Sequence, residues 1–379
     1  MSAIELDTPA VQAARQPMVT ASTLPPAWYT DQDIYDEIVE DVFRHSWIPL
    51  AHVSQLAKPS TYVALDLIGE PLVVTRDRGG DIHVLSNVCR HRWATIAEGS
   101  GEAKALQCPY HLWTYGLDGR LAGAPLMTEV EFDKSTCSLP EYRHEIWNGF
   151  IFMTFDETIE PLSPQLVELE SIVKNWRLSE LVVSSAVSET ANWSWNVMVD
   201  NWAENYHVKS VHPESLEMMT PASLTAPIEN HGEPWCYARL GHTSDYQETI
   251  EAAISTLDEE QRTYSAVGTI FPFFCFFTFP DMAAWLQVKP TKNVGELNLE
   301  LMLFVEPEVM SDPDIDAIVA EQMDFARGIF VEDAEMCRRA FAGLHSADAA
   351  SSRLSHLELS VWQAQNWLLD MIESRRHQD

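Results

Sequence analysis

The chain has 379 residues, 46% of them hydrophobic and 10% aromatic, with 57 acidic against 24 basic side chains and a formal net charge of −33. That length exceeds the usual size of one core and predicts two domains, and the abundance of Trp and Phe excludes a disordered chain. The charge excludes a nucleic-acid partner, whose phosphates it would repel; a solvated acidic surface, a cationic substrate, a basic electron-transfer partner or a salty habitat would each account for it.

The stretch "MSAIELDTPAVQAARQPM" carries Glu5 and Asp7 and no long apolar run, so no secretory signal is expected. No segment reaches the roughly 18 apolar residues of a membrane span. The nearest, "IFPFFCFFTFP", is short and holds Pro272 and Pro280. Cys89, Cys108, Cys137, Cys236, Cys275 and Cys337 show no paired spacing, and two of them have close histidine companions. A reduced, cytoplasmic protein that uses some cysteines as ligands is the expectation.

Residues 1–46 read as a polar lead and an acidic helix, "TDQDIYDEIVEDVFRHSW", with Ile34, Ile38, Val42 and Phe43 on its apolar face and Thr30 or Asp31 as N-cap. From 47 to 157 short β runs follow one another ("TYVALDLIG", "EPLVVTRD", "DIHVLSNV", "NGFIFMTFD"), separated by turn signals such as "RDRGGD" and "LDGR". This predicts a small all-β domain. From 158 to 379 a linker and helix lead into strands within "LVVSSAVSETANWSWNVMV", a helix around "ENYHVKSVHP", aromatic strands near 268–305 and a helical end from about 313. The larger domain is therefore expected to be α+β with an antiparallel sheet, since its strands follow one another without regular helical crossovers.

The all-β part contains "CRHRWATIAEGSGEAKALQCPYHLWTYGLDGRL": a C-x-H pair at Cys89 and His91, then C-x-x-H at Cys108 and His111. Each half offers one thiolate and one imidazole from a tight loop. One tetrahedral zinc held by all four is a possible arrangement. Mixed Cys/His loops in a β-rich setting suit a Rieske [2Fe–2S] cluster better, with two cysteines on one iron and two histidines on the other. Neutral imidazoles in place of thiolates raise the potential of such a cluster.

At these residues the chain resembles the Rieske family, and the trailing "CPYHLWTYGLDGRL" narrows the resemblance to the α subunits of Rieske non-haem iron oxygenases. The resemblance implies that Cys89, His91, Cys108 and His111 hold the cluster. It departs from the family at Trp93 and Leu112, where glycine is common.

A cluster that passes single electrons needs a second site for chemistry on a substrate. Ferrous iron that activates O2 is typically held by two His and one carboxylate on one face. "ENYHVKSVHP" supplies His207 and His212, which a regular helix would set about 140° apart, so the helix must deform or end between them; Pro213 fits such an ending. "VMVDNWAENYHVKSVHP" also resembles the family's iron-binding segment. Periodicity cannot choose the third ligand in so acidic a chain; the family's downstream helix, matched by "VEDAEMCRRAFAGLHS", points to Asp333, leaving Glu332 and Glu335 as surface charges. Glu204, three residues before His207, could accept the proton of that ligand's free ring nitrogen. The resemblance makes it an electron bridge between His207 and His111 of a neighbouring copy, because the two centres of one chain are too far apart, and so implies a homotrimer. Asn201 and Tyr206 are expected to support or pack.

No nucleotide fingerprint is present, so electrons must come from a separate NAD(P)H-dependent flavin/iron–sulfur reductase. An electron carrier without catalysis would leave over 200 residues unused. The spacing "D-N-x-x-E-x-Y-H-x-x-x-x-H" looks like the branch that oxidises quaternary amines such as choline, betaine and carnitine, with O2 as co-substrate. "FPFFCFFTFPDMAAW" offers Phe271, Phe273, Phe277 and Phe279 on one strand face and Phe274 and Phe276 on the other, either as core or as an aromatic box for a cation. The alternative is hydroxylation or dealkylation of an aromatic compound.

Overall fold

The computed structural model describes residues 2–250 and 253–377. The chain divides into two compact units, one from Trp47 to Glu160 and the other built from the segment up to Ser46 together with that from Pro161 onward.

The 47–160 unit consists of short antiparallel strands: β1 Ile48–His52, β2 Thr61–Leu67, β3 Glu70–Arg76, β4 Ile82–Ser86, β5 Ser100–Glu102, β6 Leu106–Gln107, β7 Thr114–Tyr115, β8 Leu121–Gly123, β9 His144–Trp147 and β10 Phe150–Met153. They form three sheets, β1-β10-β9, β4-β3-β2-β5 and β6-β7-β8. The hairpin β9–β10 turns on Asn148 and Gly149, both with positive φ (48° and 83°), the two-residue geometry that matches strand twist. Val73, Leu85, Cys89, Cys108, Trp113 and Tyr115 belong to one buried cluster, so the loops bearing the Cys/His pairs are anchored in the core by their own thiols and aromatics.

In the second unit, α1 (Gln32–Asp41) is capped by Asp31, whose carboxylate accepts from the amides of Asp33 (2.9 Å) and Ile34 (3.2 Å). A seven-stranded antiparallel sheet follows: β11 Val182–Ala191, β12 Thr225–Ile228, β13 Trp235–Gly241, β14 Tyr264–Ile270, β15 Phe274–Thr278, β16 Ala283–Pro290 and β17 Leu297–Val305. Strands β12 to β17 form a continuous meander, and β11 closes on β17, so β11 and β12 are the two edges. The chain must cross one face of the sheet to pass from one edge to the other. That crossing, residues 192–224, carries both candidate iron histidines.

The crossing begins with α2, Trp195–Ala203, which packs across β13–β16, followed by the single-turn α3, Val208–Val211. The sequence reading carried the strand on through "WSWNVMV"; the structure ends it at Ala191 and turns the next stretch into a helix. Trp195 to Val199 are all buried, and a continuous buried run has no periodicity by which helix and strand could be told apart. Within the sheet's sequence α4 (Ser244–Thr249) connects β13 and β14, and past the sheet come the 30-residue α5 (Ile315–Leu344) and α6 (Leu359–Arg376). Both α5 and α6 pack on α2, and the thiol of Cys337 in α5 lies buried 4.0 Å from the Val197 carbonyl of α2. The α2–α5 contact brings residues more than 120 positions apart to the same place.

Phe271 and Phe273 precede β15 and do not share its alternation. Phe273 sits edge-on to Phe43 (4.5 Å) and Trp195 (5.6 Å) in the core, and Phe271 meets Trp367. Phe274 and Phe276 are buried too, so of this aromatic run only Phe277 and Phe279 are half-buried and line a cavity.

Candidate metal centres

The two Cys/His loops close in the same way. In the first, the Cys89 amide donates to Ala94 O (2.9 Å) and the Trp93 amide to Cys89 O (3.0 Å); in the second, Cys108 donates to Trp113 O (2.8 Å) and Leu112 to Cys108 O (3.1 Å). Each loop therefore returns on itself after five residues and needs a left-handed residue four positions past its cysteine. Those residues are Trp93 (φ 56°) and Leu112 (φ 60°), the two positions where the sequence departs from glycine.

The thiols of Cys89 and Cys108 are buried and close enough to share a hydrogen bond, and burial raises the Cys108 pKa. The His91 and His111 rings stand 4.6 Å apart, and His91 stacks flat on Trp113 (4.7 Å, 8°). Both histidines have a buried Nδ1 with no hydrogen-bond partner among the described residues. Two orphaned ring nitrogens beside two buried thiols are costly in a bare protein and are what a two-iron cluster with Cys₂ and His₂ ligation would satisfy. The donor set fits the group. Tyr115, which sequence reasoning missed, places its hydroxyl 3.3 Å from Cys89 Sγ while accepting from the Arg90 amide (3.0 Å). A hydroxyl at a ligand sulfur is one of the levers that set a cluster's potential.

The second centre is assembled at element ends. Helix α2 stops at Ala203, and Glu204 is extended (φ −123°, ψ 157°). His207 then caps the start of α3 and His212 its end (φ −116°, ψ 44°), which is how two histidines five apart come to face one another with ring centroids 5.3 Å apart. Asp333 of α5 lies with its Oδ1 2.9 Å from His212 Nε2 and 3.4 Å from His207 Nε2. One ligand atom from each of the three falls within 4.8 Å of the others, a cradle for one ion with a facial two-His, one-carboxylate set.

Both imidazoles are oriented by carboxylates at the opposite nitrogen. Glu204 Oε1 is 2.6 Å from His207 Nδ1, and its other oxygen accepts from the His207 and Tyr206 amides. Glu332 Oε2 is 2.7 Å from His212 Nδ1. Glu332 is exposed, as the sequence suggested, but it also bonds His212, a role the sequence did not show; its place beside Asp333 on α5 gives each histidine one carboxylate behind it and one in front. Glu335 does lie outside, paired with Arg338 and Arg339. Asn201 donates to Asp333 Oδ1 (3.4 Å), and Tyr206 is exposed.

Burial opposes protonation of His207, but hydrogen bonds to Asp333 and Glu204 outweigh it and lift its pKa to about 10. Burial likewise opposes a rise at His212, which Asp333 and Glu332 nevertheless produce, and burial is outweighed at Asp333, which the two imidazoles hold below the usual carboxylate range. Protons and a cation would compete for the same sites. A further acid lies beneath: Asp200 of α2 accepts from the Tyr29 hydroxyl (2.8 Å), and its burial raises its pKa to about 7 despite that bond.

Comparison with known proteins identifies both parts of the chain. Residues 174–374 match the ring hydroxylating alpha subunit (catalytic domain), and residues 46–142 match the Rieske [2Fe–2S] domain. The chain belongs to the ring-hydroxylating α-subunit family. This is the fold class expected from the sequence, a Rieske domain with an α+β catalytic domain of the kind that binds mononuclear iron. Among curated relatives, the carnitine monooxygenase oxygenase subunit of Acinetobacter pittii (strain PHEA-2) is 36% identical over 202 residues, 51% of this chain and 53% of that one. The glycine betaine monooxygenase oxygenase subunit of Chromohalobacter salexigens is 26% identical over 269 residues (65% and 60%), and the anthranilate 1,2-dioxygenase large subunit of Acinetobacter baylyi 30% over 193 (48% and 41%). The matched part spans about half the length of the carnitine relatives. In three dimensions the chain is similar to the quaternary ammonium Rieske monooxygenase CntA with L-carnitine (TM-score 0.77, 23% identity, 95% and 97% covered) and to naphthalene 1,2-dioxygenase from Rhodococcus sp. (0.77, 19%, 92% and 94%), a likeness of fold.

Proposed function

We propose that the chain is the terminal oxygenase component of a Rieske system that oxidises an N-methyl group of a quaternary amine, drawing electrons from a separate NAD(P)H-dependent flavin/iron–sulfur reductase. The observation that carries this reading is that the His207–His212–Asp333 cradle opens into a cavity of about 710 Å³ walled in part by Trp202, Tyr246, Phe277 and Phe279, in a chain that also carries the Cys/His quartet. Aromatic faces attract cations, and the relatives named for carnitine and glycine betaine act on such amines.

In this reading residues 47–157 are the Rieske domain, and residues 158–379 with the segment 1–46 are the catalytic part. Cys89, Cys108, His91 and His111 hold the [2Fe–2S] cluster, and His207, His212 and Asp333 hold Fe(II). When bound, the cluster supplies single electrons and the iron supplies the site of O2 activation. The chain does the rest. Glu204 and Glu332 hold each imidazole at Nδ1 and leave Nε2, on the Asp333 side, for the iron. The apolar walls keep water from the reacting methyl group, and the aromatic faces hold the cation. The balance is R₃N⁺–CH₃ + O₂ + 2 e⁻ + 2 H⁺ giving R₃N⁺–CH₂OH + H₂O, after which the carbinol releases formaldehyde, R₃N and a proton.

Glu204 also serves as the bridge from His207 to His111 of a neighbouring copy, within a cytoplasmic homotrimer. The exposed Trp93, Tyr110 and Leu112 around the Rieske histidines give that copy an apolar surface to meet. The test is turnover with a generic reductase, NADH and O2 against quaternary amines and aromatic acids, following formaldehyde and hydroxylated arenes. Formaldehyde from the amines is expected; hydroxylated arenes without formaldehyde would replace this reading with the aromatic one.

A further inference from the structure

The cavity above the cradle has a charge pattern that says more about its occupant. Beside the metal-site residues it is lined by three further acids, all exposed: Asp245 at the start of α4, Asp281 in the β15–β16 turn, and Glu321 on α5. Among the described residues none of the three has an ion-pair partner and no Lys or Arg lines the cavity. Asp281 is exposed, and the protein around it raises its carboxyl pKa by desolvation. Its charge is felt by the phenol of Tyr246, which faces the same space.

The aromatic wall lies next to these acids in sequence and space. Phe277 and Phe279 stack at 4.3 Å, and Trp202 meets Phe277 edge-on at 6.4 Å. Trp202 and Gln322 line the cavity, and their buried Nε1 and Oε1 atoms have no hydrogen-bond partner among the described residues. Most of the remaining wall is Met, Leu, Ile, Val and Phe, and about 710 Å³ lies within the range of clefts that hold drug-sized ligands, with room for an apolar body beyond a small ammonium group.

Away from the iron cradle, a substrate carboxylate in such a site would find no Lys or Arg among the described lining residues and would face like charges, which disfavours it. A cation on an apolar body satisfies the acids, the ring faces and the volume together. We infer that the substrate of this enzyme is a carboxylate-free organic cation, an N-methylated ammonium carried on a bulky apolar body, recognised by the Trp202–Phe277–Phe279 wall with Asp281 and Asp245. This rests on the amine reading above and separates the chain from relatives named for the zwitterions carnitine and glycine betaine.

The test is calorimetric binding to the anaerobic, metal-loaded protein of three matched probes: benzyltrimethylammonium, its 4-carboxy derivative, and neopentylbenzene, the neutral carbon isostere. The plain cation should bind roughly tenfold or more tightly than either of the others. Asp281→Asn should weaken the cation several-fold, narrow its lead over the zwitterion and leave the isostere unchanged; Asp245→Asn should do the same more weakly. Equal or tighter binding of the 4-carboxy derivative would overturn the inference while leaving the amine reading intact. Equal binding of neopentylbenzene would remove the amine reading itself. Retained cation affinity in both variants would also overturn the inference.

Discussion

The two candidate centres are built on opposite plans. The Cys/His quartet comes from two loops 19 residues apart between first thiols, each closed by the same pair of backbone hydrogen bonds. The His/His/Asp cradle comes from the two ends of one helical turn and from α5, over 120 residues away, and exists only because α5 packs on α2. A local site depends on the conformation of its loops. A dispersed one depends on tertiary packing, so its ligands can be removed without disturbing the other unit.

The largest effect expected from that separation is His207→Ala. Turnover should fall to background and mononuclear iron should be lost, while the visible absorption and EPR spectrum of the cluster stay intact. A bleached cluster would show the two centres to be interdependent. Next come the two carboxylates that look equivalent, each bonded to an imidazole Nδ1. If Glu332 only orients His212, Glu332→Gln should cost about 10–100-fold in iron affinity or activity. If Glu204 is the proposed bridge to the next copy, Glu204→Gln should leave both metals bound and stop turnover; equal modest losses in the two variants would reduce Glu204 to an orienting group.

A smaller effect separates the centres by pH. The pKa of His207 in the metal-free protein, lifted to about 10 against burial by Asp333 and Glu204, means that Fe(II) must displace a proton at neutral pH. Apparent iron affinity should rise by up to about tenfold per pH unit between pH 7 and 9, with proton release visible as a dependence of binding heat on buffer ionisation. The same raised pKa stabilises the metal-free fold fully below the unfolded histidine value of about 6.5 and progressively less as pH rises through 10. A pH-independent affinity would mean that the imidazoles are neutral before iron arrives.

The difference in plan also explains what could be read from the sequence. Cys89, His91, Cys108 and His111 are legible because spacing within a loop is geometry. His207 and His212 were legible only as a pair that a straight helix would splay, and the structure resolves that by ending one helix at Ala203 and starting another at Val208. Glu332 escaped because nothing in the sequence tells which turn of a 30-residue helix faces α2. Phe271 and Phe273 were grouped with Phe277 by alternation, although β15 begins only at Phe274. Tyr115 reaches Cys89 across the loop from 26 residues away, a contact with no local signature.

Trp93 and Leu112 give the mildest test, and it acts on the local centre alone. A non-glycine residue in the left-handed region costs about 1–2 kcal/mol, and glycine would give back about 0.5–1 kcal/mol through its extra freedom when unfolded. Leu112 is 52% exposed, so little packing is lost with its side chain. Leu112→Gly should therefore stabilise the cluster-bearing unit by about 0.5–1 kcal/mol, read as a small rise in the urea midpoint of cluster loss. A fall would mean that the leucine's contacts outweigh its strain. The same variant carries a second readout. If copies of the chain associate through the apolar surface at Trp93, Tyr110 and Leu112, the proposed trimer should dissociate at higher protein concentration even as each unit becomes harder to unfold. Stabilisation with unchanged assembly would place the subunit contact elsewhere and leave the strained leucine without a role in it.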